Sequence, residues 1–492
     1  MRLRVRRSKK SGILLPLFSL PSKYGIGSLG IEAYEFIDFL KSANQSYWQL
    51  LPLCPVGKAY SPYSSASSFA GEILYIDIDF LIRDGLLQKE DIPTEFFPEK
   101  VDYKLCLNFK IPLLEKAVKA FNKEDKDFLK FKAENEFWLK DYCVFMTLSD
   151  IFGTKNFRLW EKDYKYRNSF ELNKIYEKQK EKIDFYEITQ FLFYKQFFEL
   201  KNYANKNGIK LMGDIPFYVS YLSADVWSHP FCFKLGLDLT PTLVSGVPPD
   251  LFSKNGQLWG MPIYDWNFLK KNGYPFWKER LSFNCSLYDA LRIDHFRAFA
   301  DYYTIPFGAK TAREGSWQKG VGFCFFKEMR EILKTTEIIA EDLGEENENT
   351  VRLIKKTGFK DMRVLEFAFD SDKNDPFLPK NFGRKSVVYT GTHDNNTVIG
   401  WYKTASESEK KLFKELVPDI FSSHSLNLIN YALKSRAELA IIPLQDYLCL
   451  DENARINTPS TEKDNWCWRV CKEALNQNTA ELIKKLTKNA KR

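Results

Sequence analysis

The chain has 492 residues, 44% of them hydrophobic and 28% charged, so it is neither disordered nor fibrous and is long enough for one large barrel or two to three ordinary domains. Its 72 Lys and Arg against 64 Asp and Glu give a net charge of +8 that is spread along the chain, which argues against a nucleic-acid partner. The nine cysteines form no CxxC pair, which disfavours a disulfide framework or a structural zinc site.

The first apolar run, Gly12–Leu20, follows a basic N-terminal segment and so has the outline of a signal peptide. It is short, contains Pro16 and is followed by Pro21–Gly25 rather than by a small-residue cleavage site, so we interpret it as a first buried strand. No apolar run approaches the roughly 20 residues needed to cross a bilayer. We therefore expect a soluble, cytoplasmic protein without a membrane partner.

Short apolar runs ending in Gly, Pro, Asp or His recur along the chain. Eight such runs, separated by helix-compatible stretches, are typical of a (βα)8 TIM barrel, an α/β fold. The runs are Gly12–Leu17, Tyr47–Leu53, Ile209–Ile215, Leu287–Ile293, Thr335–Ala340, Met362–Ala368, Ser386–Gly391 and Leu439–Leu444. We predict a single catalytic barrel that occupies residues 1–492.

The stretch between the second and third runs is far longer than one crossover helix needs. Within Leu113–Val118, Phe128–Phe145 and Tyr186–Tyr203, large apolar residues recur at three- and four-residue intervals among Lys and Glu. We predict a mainly helical insertion subdomain at 60–205 that lies over one barrel face. Its aromatic stripes are interpreted as the core of the insertion rather than as a ligand platform.

A second unusual stretch, 241–266, is rich in Gly and Pro but also in aromatic residues. Its Gly and Pro exclude a regular helix, whereas Trp259 and Tyr264 are unexpected in a solvated loop. Because sugars stack their apolar faces on aromatic rings, we predict an active-site loop over the catalytic face with Trp259 as a sugar platform. The alternative is that Trp259 only anchors the loop.

Three acidic residues, Asp294, Glu341 and Asp394, follow predicted strands. Carboxylates are costly to bury without a partner or a task, and strand ends are where a parallel barrel keeps its chemistry. Period-two alternation puts Arg292 on the same strand face as Asp294, so a permanent cation lies beside that carboxylate. An ionised carboxylate at the barrel mouth is a candidate nucleophile. The alternative is a structural Arg–Asp ion pair.

Glu341 stands in a different setting, because the apolar residues Ile338–Ala340 precede it and no cation is adjacent in sequence. Desolvation raises the pKa of a carboxyl group, so Glu341 is predicted to hold a proton and act as a general acid. An acid and a nucleophile of this kind are the requirement for double displacement at a glycosidic bond. Asp394 adjoins His393, a pair suited to hold sugar hydroxyls and to stabilise positive charge.

These acids lie in segments that resemble the 4-alpha-glucanotransferases, called amylomaltases in bacteria and disproportionating enzymes in plants. The segments occur in the family's order and cover nearly the whole chain. They are SPYSSASSFAG (61–71), GDIPFYV (213–219), PPDLFSKNGQLWG (248–260), LRIDHFRAF (291–299), AEDLG (340–344), GTHDNNT (391–397) and RINTPSTEKDNWCWR (455–469).

The resemblance implies that Asp294 is the nucleophile, Glu341 the general acid/base and Asp394 the transition-state stabiliser. It also implies a set of glucan-binding residues: Arg292, His295, His393, Asp214, Gln257, Trp259 and Asn465. The implied enzyme is a glycosyltransferase that moves a segment of an α-1,4-glucan to the 4-hydroxyl of an acceptor by retaining double displacement. Maltooligosaccharides would be donor and acceptor, and no cofactor or metal is implied.

Other functions stay open from the residues themselves. A retaining α-glucan hydrolase has the same chemistry, and the resemblance is what favours transfer over hydrolysis. A non-catalytic glucan-binding protein would be expected to have lost one of the three acids, and all are present. A metal-dependent barrel hydrolase would use Asp294, His295, His393 and Asp394 as ligands, but the first apolar run lacks the His-x-His often found in such sites, so we predict no metal.

Overall fold

The structure, a computed structural model, describes residues 9–249, 254–344, 347–370 and 372–492. Twelve strands occur in these ranges. In chain order they are β1 (Lys10–Leu14), β2 (Tyr47–Gln49), β3 (Lys210–Ile215), β4 (Leu243–Val247), β5 (Gln257–Pro262), β6 (Ala290–Ile293), β7 (Asp301–Pro306), β8 (Ser316–Lys319), β9 (Glu337–Ala340), β10 (Lys360–Val364), β11 (Ser386–Tyr389) and β12 (Leu439–Pro443).

Eight of the strands close into a barrel in the order β1-β12-β11-β10-β9-β6-β3-β2, and every neighbouring pair is parallel. Each of the eight predicted runs overlaps one barrel strand, so the predicted (βα)8 barrel is confirmed. Strands such as β11 and β12 are buried at every position, which explains their continuous apolar sequences. The sixth run differs in its bounds, because β10 ends at Val364 and Leu365–Phe369 turns into a 3-10 helix.

The α-helices surround the barrel and extend from one of its loops. In chain order they are α1 (Ile31–Ser42), α2 (Ile78–Arg83), α3 (Tyr103–Ala120), α4 (Lys126–Glu134), α5 (Glu136–Phe152), α6 (Lys162–Lys165), α7 (Ser169–Lys178), α8 (Lys180–Lys206), α9 (Ala224–Ser228), α10 (Trp266–Lys271), α11 (Pro275–Leu287), α12 (Phe323–Glu328), α13 (Arg330–Leu333), α14 (Glu348–Thr357), α15 (Val398–Thr404), α16 (Glu407–Leu416), α17 (His424–Lys434), α18 (Leu444–Tyr447) and α19 (Gln477–Asn489). Among the described residues, none of these helices has the length and apolarity of a membrane span.

Helices α2 to α8 all lie between β2 and β3, in the stretch where the sequence predicts a helical insertion. The ring centroid of Phe191 on α8 lies 5.5 to 5.8 Å from those of Phe121, Phe128 and Phe131. These aromatic side chains therefore pack against one another inside the helical layer. The assignment of 60–205 as a separate subdomain stays a prediction.

The remaining strands form a four-stranded antiparallel sheet in the order β5-β4-β7-β8. Strands β4 and β5 lie within 241–266, so part of this stretch is regular strand, and its role as an active-site loop stays a prediction. Its glycines are compatible with pairing because the ladder shifts register between Val244 and Gly246, and Gly260 adopts a positive φ of 78° within β5. Residues 250–253 of the predicted active-site loop lie outside the described residues.

Candidate active site

Asp294 and Glu341 leave the barrel side by side. Asp294 comes directly after β6 and Glu341 directly after β9, and these strands are neighbours in which Ile293 pairs with Ala340. The backbone N–H of His295 donates a hydrogen bond of 2.7 Å to Oε2 of Glu341. The carboxyl ends of barrel strands meet at one face, so the two predicted catalytic carboxyl groups lie together at the barrel mouth.

Arg292 joins two carboxylates beneath this mouth. Its Nη1 donates to both oxygens of Asp214 over 2.8 and 2.7 Å, and its Nη2 donates to Oδ1 of Asp294 over 2.9 Å. The Arg292 side chain is 4% exposed and the Asp294 side chain is 30% exposed. The predicted contact between Arg292 and Asp294 is confirmed, and it leaves part of the Asp294 carboxylate open to a substrate.

Asp214, predicted as a glucan contact, has a buried side chain with internal partners, and the predicted glucan contact stays a prediction. Its side chain is 0% exposed, and its Oδ2 also accepts a hydrogen bond of 2.7 Å from the hydroxyl of Tyr63. Burial raises the pKa of Asp214, while the charge of Arg292 opposes that rise. In this structure Asp214 holds Arg292 and Tyr63 in place, and we propose that it acts through them.

Glu341 has the electrostatic setting that its apolar approach predicts. Burial raises its pKa to about 8, and the charge of Asp294 acts in the same direction, whereas Arg292 opposes the rise. Each carboxyl oxygen also accepts one backbone N–H, from His295 over 2.7 Å and from Leu343 over 2.8 Å. These two hydrogen bonds fix the orientation of the group without removing the effect of burial.

Asp394 approaches the same site from the loop after β11. Its side chain is 46% exposed, and its Oδ2 lies 3.4 Å from Nε2 of His393. The His393 ring is buried and stacks on Tyr63 with 5.1 Å between centroids, and Tyr63 in turn donates to Asp214. Asp294 and Asp394 are thus linked through one network of ring contacts and hydrogen bonds.

His295 takes a left-handed conformation, with φ at 49°, immediately after Asp294. Such a conformation is unfavourable for a residue with a side chain, and here it places the imidazole against Trp259, whose ring centroid lies 4.9 Å away at 86°. Trp259 Nε1 donates to Oε1 of Gln257 over 3.1 Å. Burial lowers the pKa of His295 to about 4, and Nε2 of this neutral ring has no partner among the described residues. Gln257, Trp259 and His295 therefore form one wall beside Asp294.

Asn465, also predicted as a glucan contact, makes its hydrogen bonds within its own loop. Its Oδ1 accepts from the backbone of Thr458 over 2.9 Å, and its Nδ2 donates to the carbonyl of Thr461 over 2.9 Å. The residue is 8% exposed. Its placement supports a role in holding this turn beside the site, and the predicted glucan contact remains untested.

Two residues of the site were not singled out from the sequence, namely Tyr63 and Asn457. Tyr63 links Asp214 to His393, and Asn457 donates from Nδ2 to Oδ1 of Asp394 over 2.6 Å. Both stand in segments that carry the family resemblance. Their partners are 151 and 63 residues away in the chain, so no local pattern marks them.

Within the described ranges, no set of three or more His, Cys, Asp or Glu side chains is arranged to hold a metal ion. The site instead consists of carboxyl groups, one buried guanidinium, imidazoles and aromatic rings. Such a set is suited to acid–base and nucleophilic chemistry on a neutral polar substrate.

The chain is also similar to known proteins. A family model described as 4-alpha-glucanotransferase matches residues 15–474. The chain belongs to the 4-alpha-glucanotransferase family. The 4-alpha-glucanotransferase of Clostridium butyricum is 43% identical to this glucanotransferase over 480 residues, covering 96% of this chain and 98% of that relative. The enzyme of Thermus thermophilus is 40% identical, with coverage of 93% and 94%.

A solved structure leads to the same family. The amylomaltase from Streptococcus agalactiae in complex with acarbose superposes on this glucanotransferase with a TM-score of 0.94 and 38% identity, covering 98% of this chain and 99% of that one. The amylomaltase from Corynebacterium glutamicum, at 16% identity and a TM-score of 0.78, shares the fold. The predicted family, the predicted transferase class and the predicted barrel are confirmed, while the roles of single residues stay predictions.

Proposed function

We propose that this glucanotransferase transfers a segment of an α-1,4-glucan to the 4-hydroxyl of an acceptor glucan or glucose by retaining double displacement. The observation that carries the mechanism is the pair of unlike carboxyl groups on adjacent strand ends. Asp294 is hydrogen-bonded to the Arg292 guanidinium, whereas burial raises the pKa of Glu341 to about 8. Maltooligosaccharides would serve as both donor and acceptor.

In the first half-reaction, Glu341 gives its proton to the glycosidic oxygen while an oxygen of Asp294 attacks the anomeric carbon. The bond to the leaving glucan breaks, and a covalent glycosyl ester to Asp294 forms. Asp394, with His393 beside it, binds hydroxyls of the reacting sugar and stabilises the positive charge that develops on its ring. Retention calls for carboxyl groups of about 5 Å separation, which suits residues that directly follow paired strands.

In the second half-reaction the roles of Glu341 reverse. Its carboxylate takes the proton from the 4-hydroxyl of the acceptor, and the acceptor oxygen attacks the anomeric carbon from the face that the first glucan left. The ester to Asp294 breaks and the carboxylate is restored. Two inversions at one carbon give net retention of the α-linkage.

Transfer requires the acceptor to outcompete water, which is present at about 55 M. A bound and oriented hydroxyl can reach an effective molarity of roughly 10⁵ M or more, so a wall that orients sugars favours transfer. Trp259 and Gln257 supply such a wall beside His295. We propose that this wall, the 241–266 segment and the helical stretch 60–205 together hold the acceptor and exclude water.

Maltotriose distinguishes transfer from its alternatives. We expect purified protein to convert maltotriose into glucose and a ladder of longer maltooligosaccharides, because each glycosyl ester is intercepted by another sugar. Product analysis by chromatography makes the measurement. Maltose and glucose without a ladder would instead indicate the hydrolase, and unchanged substrate would indicate a glucan-binding protein.

The pH dependence tests the assignment of the general acid. Because Glu341 must be protonated to cleave a glucan, and its pKa is raised to about 8, kcat/KM for maltotriose should fall as pH rises through about 8. An α-maltosyl fluoride donor needs no proton on its leaving group, so the same alkaline fall should be absent from its glycosylation step. A fall that is identical for both donors would contradict the assignment.

We also propose that the protein works in the cytoplasm. All nine cysteines carry free thiols in the structure. Free thiols of this number are typical of proteins kept in a reducing compartment.

A further inference from the structure

The segment 455–457 forms several hydrogen bonds to the loop that carries Asp394. Asn457 Nδ2 donates to Oδ1 of Asp394 over 2.6 Å, and the backbone N–H of Asn457 donates to the carbonyl of His393 over 3.1 Å. Arg455 Nη2 donates to the backbone carbonyl of Asp394 over 2.6 Å, and its Nε donates to the carbonyl of Asn457 over 2.7 Å. Both the side chain and the backbone of Asp394 are therefore held by residues more than 60 positions away.

We propose that Asn457 is a positioning residue that fixes which oxygen of Asp394 faces the sugar, an inference that rests on the proposed role of Asp394. The Asp394 side chain is 46% exposed, so packing alone does not select its orientation. A hydrogen bond at Oδ1 leaves Oδ2, on the side of His393, available to substrate hydroxyls. Small errors in the placement of a group that acts at the transition state reduce rates by about 100-fold.

The amide is suited to this task in a way that a charged group is not. It donates an N–H to the carboxylate without neutralising the negative charge that stabilises the developing cation. Arg455, a cation nearby, donates to the backbone carbonyl of Asp394 rather than to its carboxylate. Asn457 thus orients the carboxylate while its charge is retained.

The two residues that flank Asn457 are also held by hydrogen bonds. The backbone N–H of Trp466 donates to the carbonyl of Ile456 over 2.7 Å, and Asn465 accepts from the N–H of Thr458 over 2.9 Å. The ring of Trp466 lies 5.9 Å from that of His393. The residues on both sides of Asn457 are held in this way, so the position of its amide is set before substrate arrives.

The test uses two substitutions in the full-length enzyme. Asn457→Ala removes the donor, and kcat should fall by about 10- to 100-fold while KM changes less than about threefold. Asn457→Asp keeps the shape but places a second carboxylate against that of Asp394. Two carboxyl groups in contact do not both ionise readily. The acidic limb of the pH profile should then move to higher pH by about one unit or more. Asn453→Asp is the matched control, since Asn453 Nδ2 donates to Oδ1 of Asp451, a carboxyl group that the proposed mechanism does not use, and its profile should match that of the unmodified enzyme.

Thermal unfolding of each variant is measured alongside, and a merely structural asparagine would alter the unfolding temperature without moving the acidic limb. An unmoved limb in folded Asn457→Asp overturns the proposal, even where Asn457→Ala fails to fold. Asp394→Asn, assayed in parallel, distinguishes an error in the proposed role of Asp394 from an error in the proposed role of Asn457. Retained activity in that variant overturns the role of Asp394 and this inference together, whereas an inactive Asp394→Asn beside unaffected Asn457 variants overturns this inference alone.

Discussion

Asp294→Asn is expected to lower kcat for glucan transfer by at least about 10⁴-fold, because the amide lacks the negative charge that forms the glycosyl ester. The substitution changes little in shape. Arg292 keeps its two hydrogen bonds to Asp214, so the fold and the affinity for maltooligosaccharides should be retained. Kinetics with maltotriose, calorimetric binding and thermal unfolding give the three measurements.

Asp289→Asn provides the matched control for this experiment, since Asp289 stands at the opposite end of the same strand. Its Oδ2 accepts from Asn205 Nδ2 and from the backbone of Leu211, each over 2.9 Å, and an asparagine oxygen can accept the same bonds. We expect near-normal turnover from this control. Near-normal turnover from Asp294→Asn itself would overturn the assignment of the nucleophile.

Glu341→Gln should reduce turnover of maltotriose by about 10²- to 10⁴-fold, because the leaving glucan is no longer protonated. With α-maltosyl fluoride the first step needs no acid, so the ester to Asp294 should form and accumulate when no base activates the acceptor. Mass spectrometry of the intact protein would detect the added maltosyl group. Azide, a nucleophile that needs no base, should restore turnover of the fluoride.

Asp342→Asn is the control for Glu341→Gln, since Asp342 is the next residue in the chain and its carboxyl group has different partners. Asp342 accepts from the backbone of Met362 over 3.0 Å and lies 3.3 Å from Nη1 of Arg363. Its charge adds to the rise in the pKa of Glu341, so both variants are assayed well below pH 8, where Glu341 is protonated with or without that charge. We expect its variant to treat both donors as the unmodified enzyme does. Equal losses with maltotriose and with the fluoride in Glu341→Gln would contradict a role in proton transfer.

The barrel was predictable from the sequence because its strands are covered on both faces. Continuous burial produces runs such as Leu439–Leu444 that contain almost no polar residue, and such runs are visible without any knowledge of their partners. The second sheet was missed for the opposite reason. Gln257–Pro262 is exposed or half-buried at every position except Pro262, both strands contain a glycine, and their pairing with each other shifts register, so their sequences resemble those of loops.

The candidate site was likewise predictable from the sequence only in part. Asp294 and Glu341 follow their strands directly, so the rule that barrel chemistry lies at strand ends was enough to select them. The contact of Arg292 with Asp294 followed from alternation along one strand. The commitment of the Asp214 and Asn465 side chains to internal hydrogen bonds was not foreseen, because a motif identifies a neighbourhood and not the direction of each side chain within it.

The sequence by itself therefore determined the barrel, the family and the three acids, since all of these depend on periodicity, on residues next to strand ends and on the order of motifs along the chain. Only the tertiary structure decided how the rest of the site is held: Asp214 on Arg292, Tyr63 against His393, and Asn457 on Asp394. These contacts join residues that lie far apart in the sequence, such as Tyr63 and His393. The apolar residues before Glu341 predicted the direction of its pKa shift, whereas the burial that raises this pKa to about 8 requires the closed barrel.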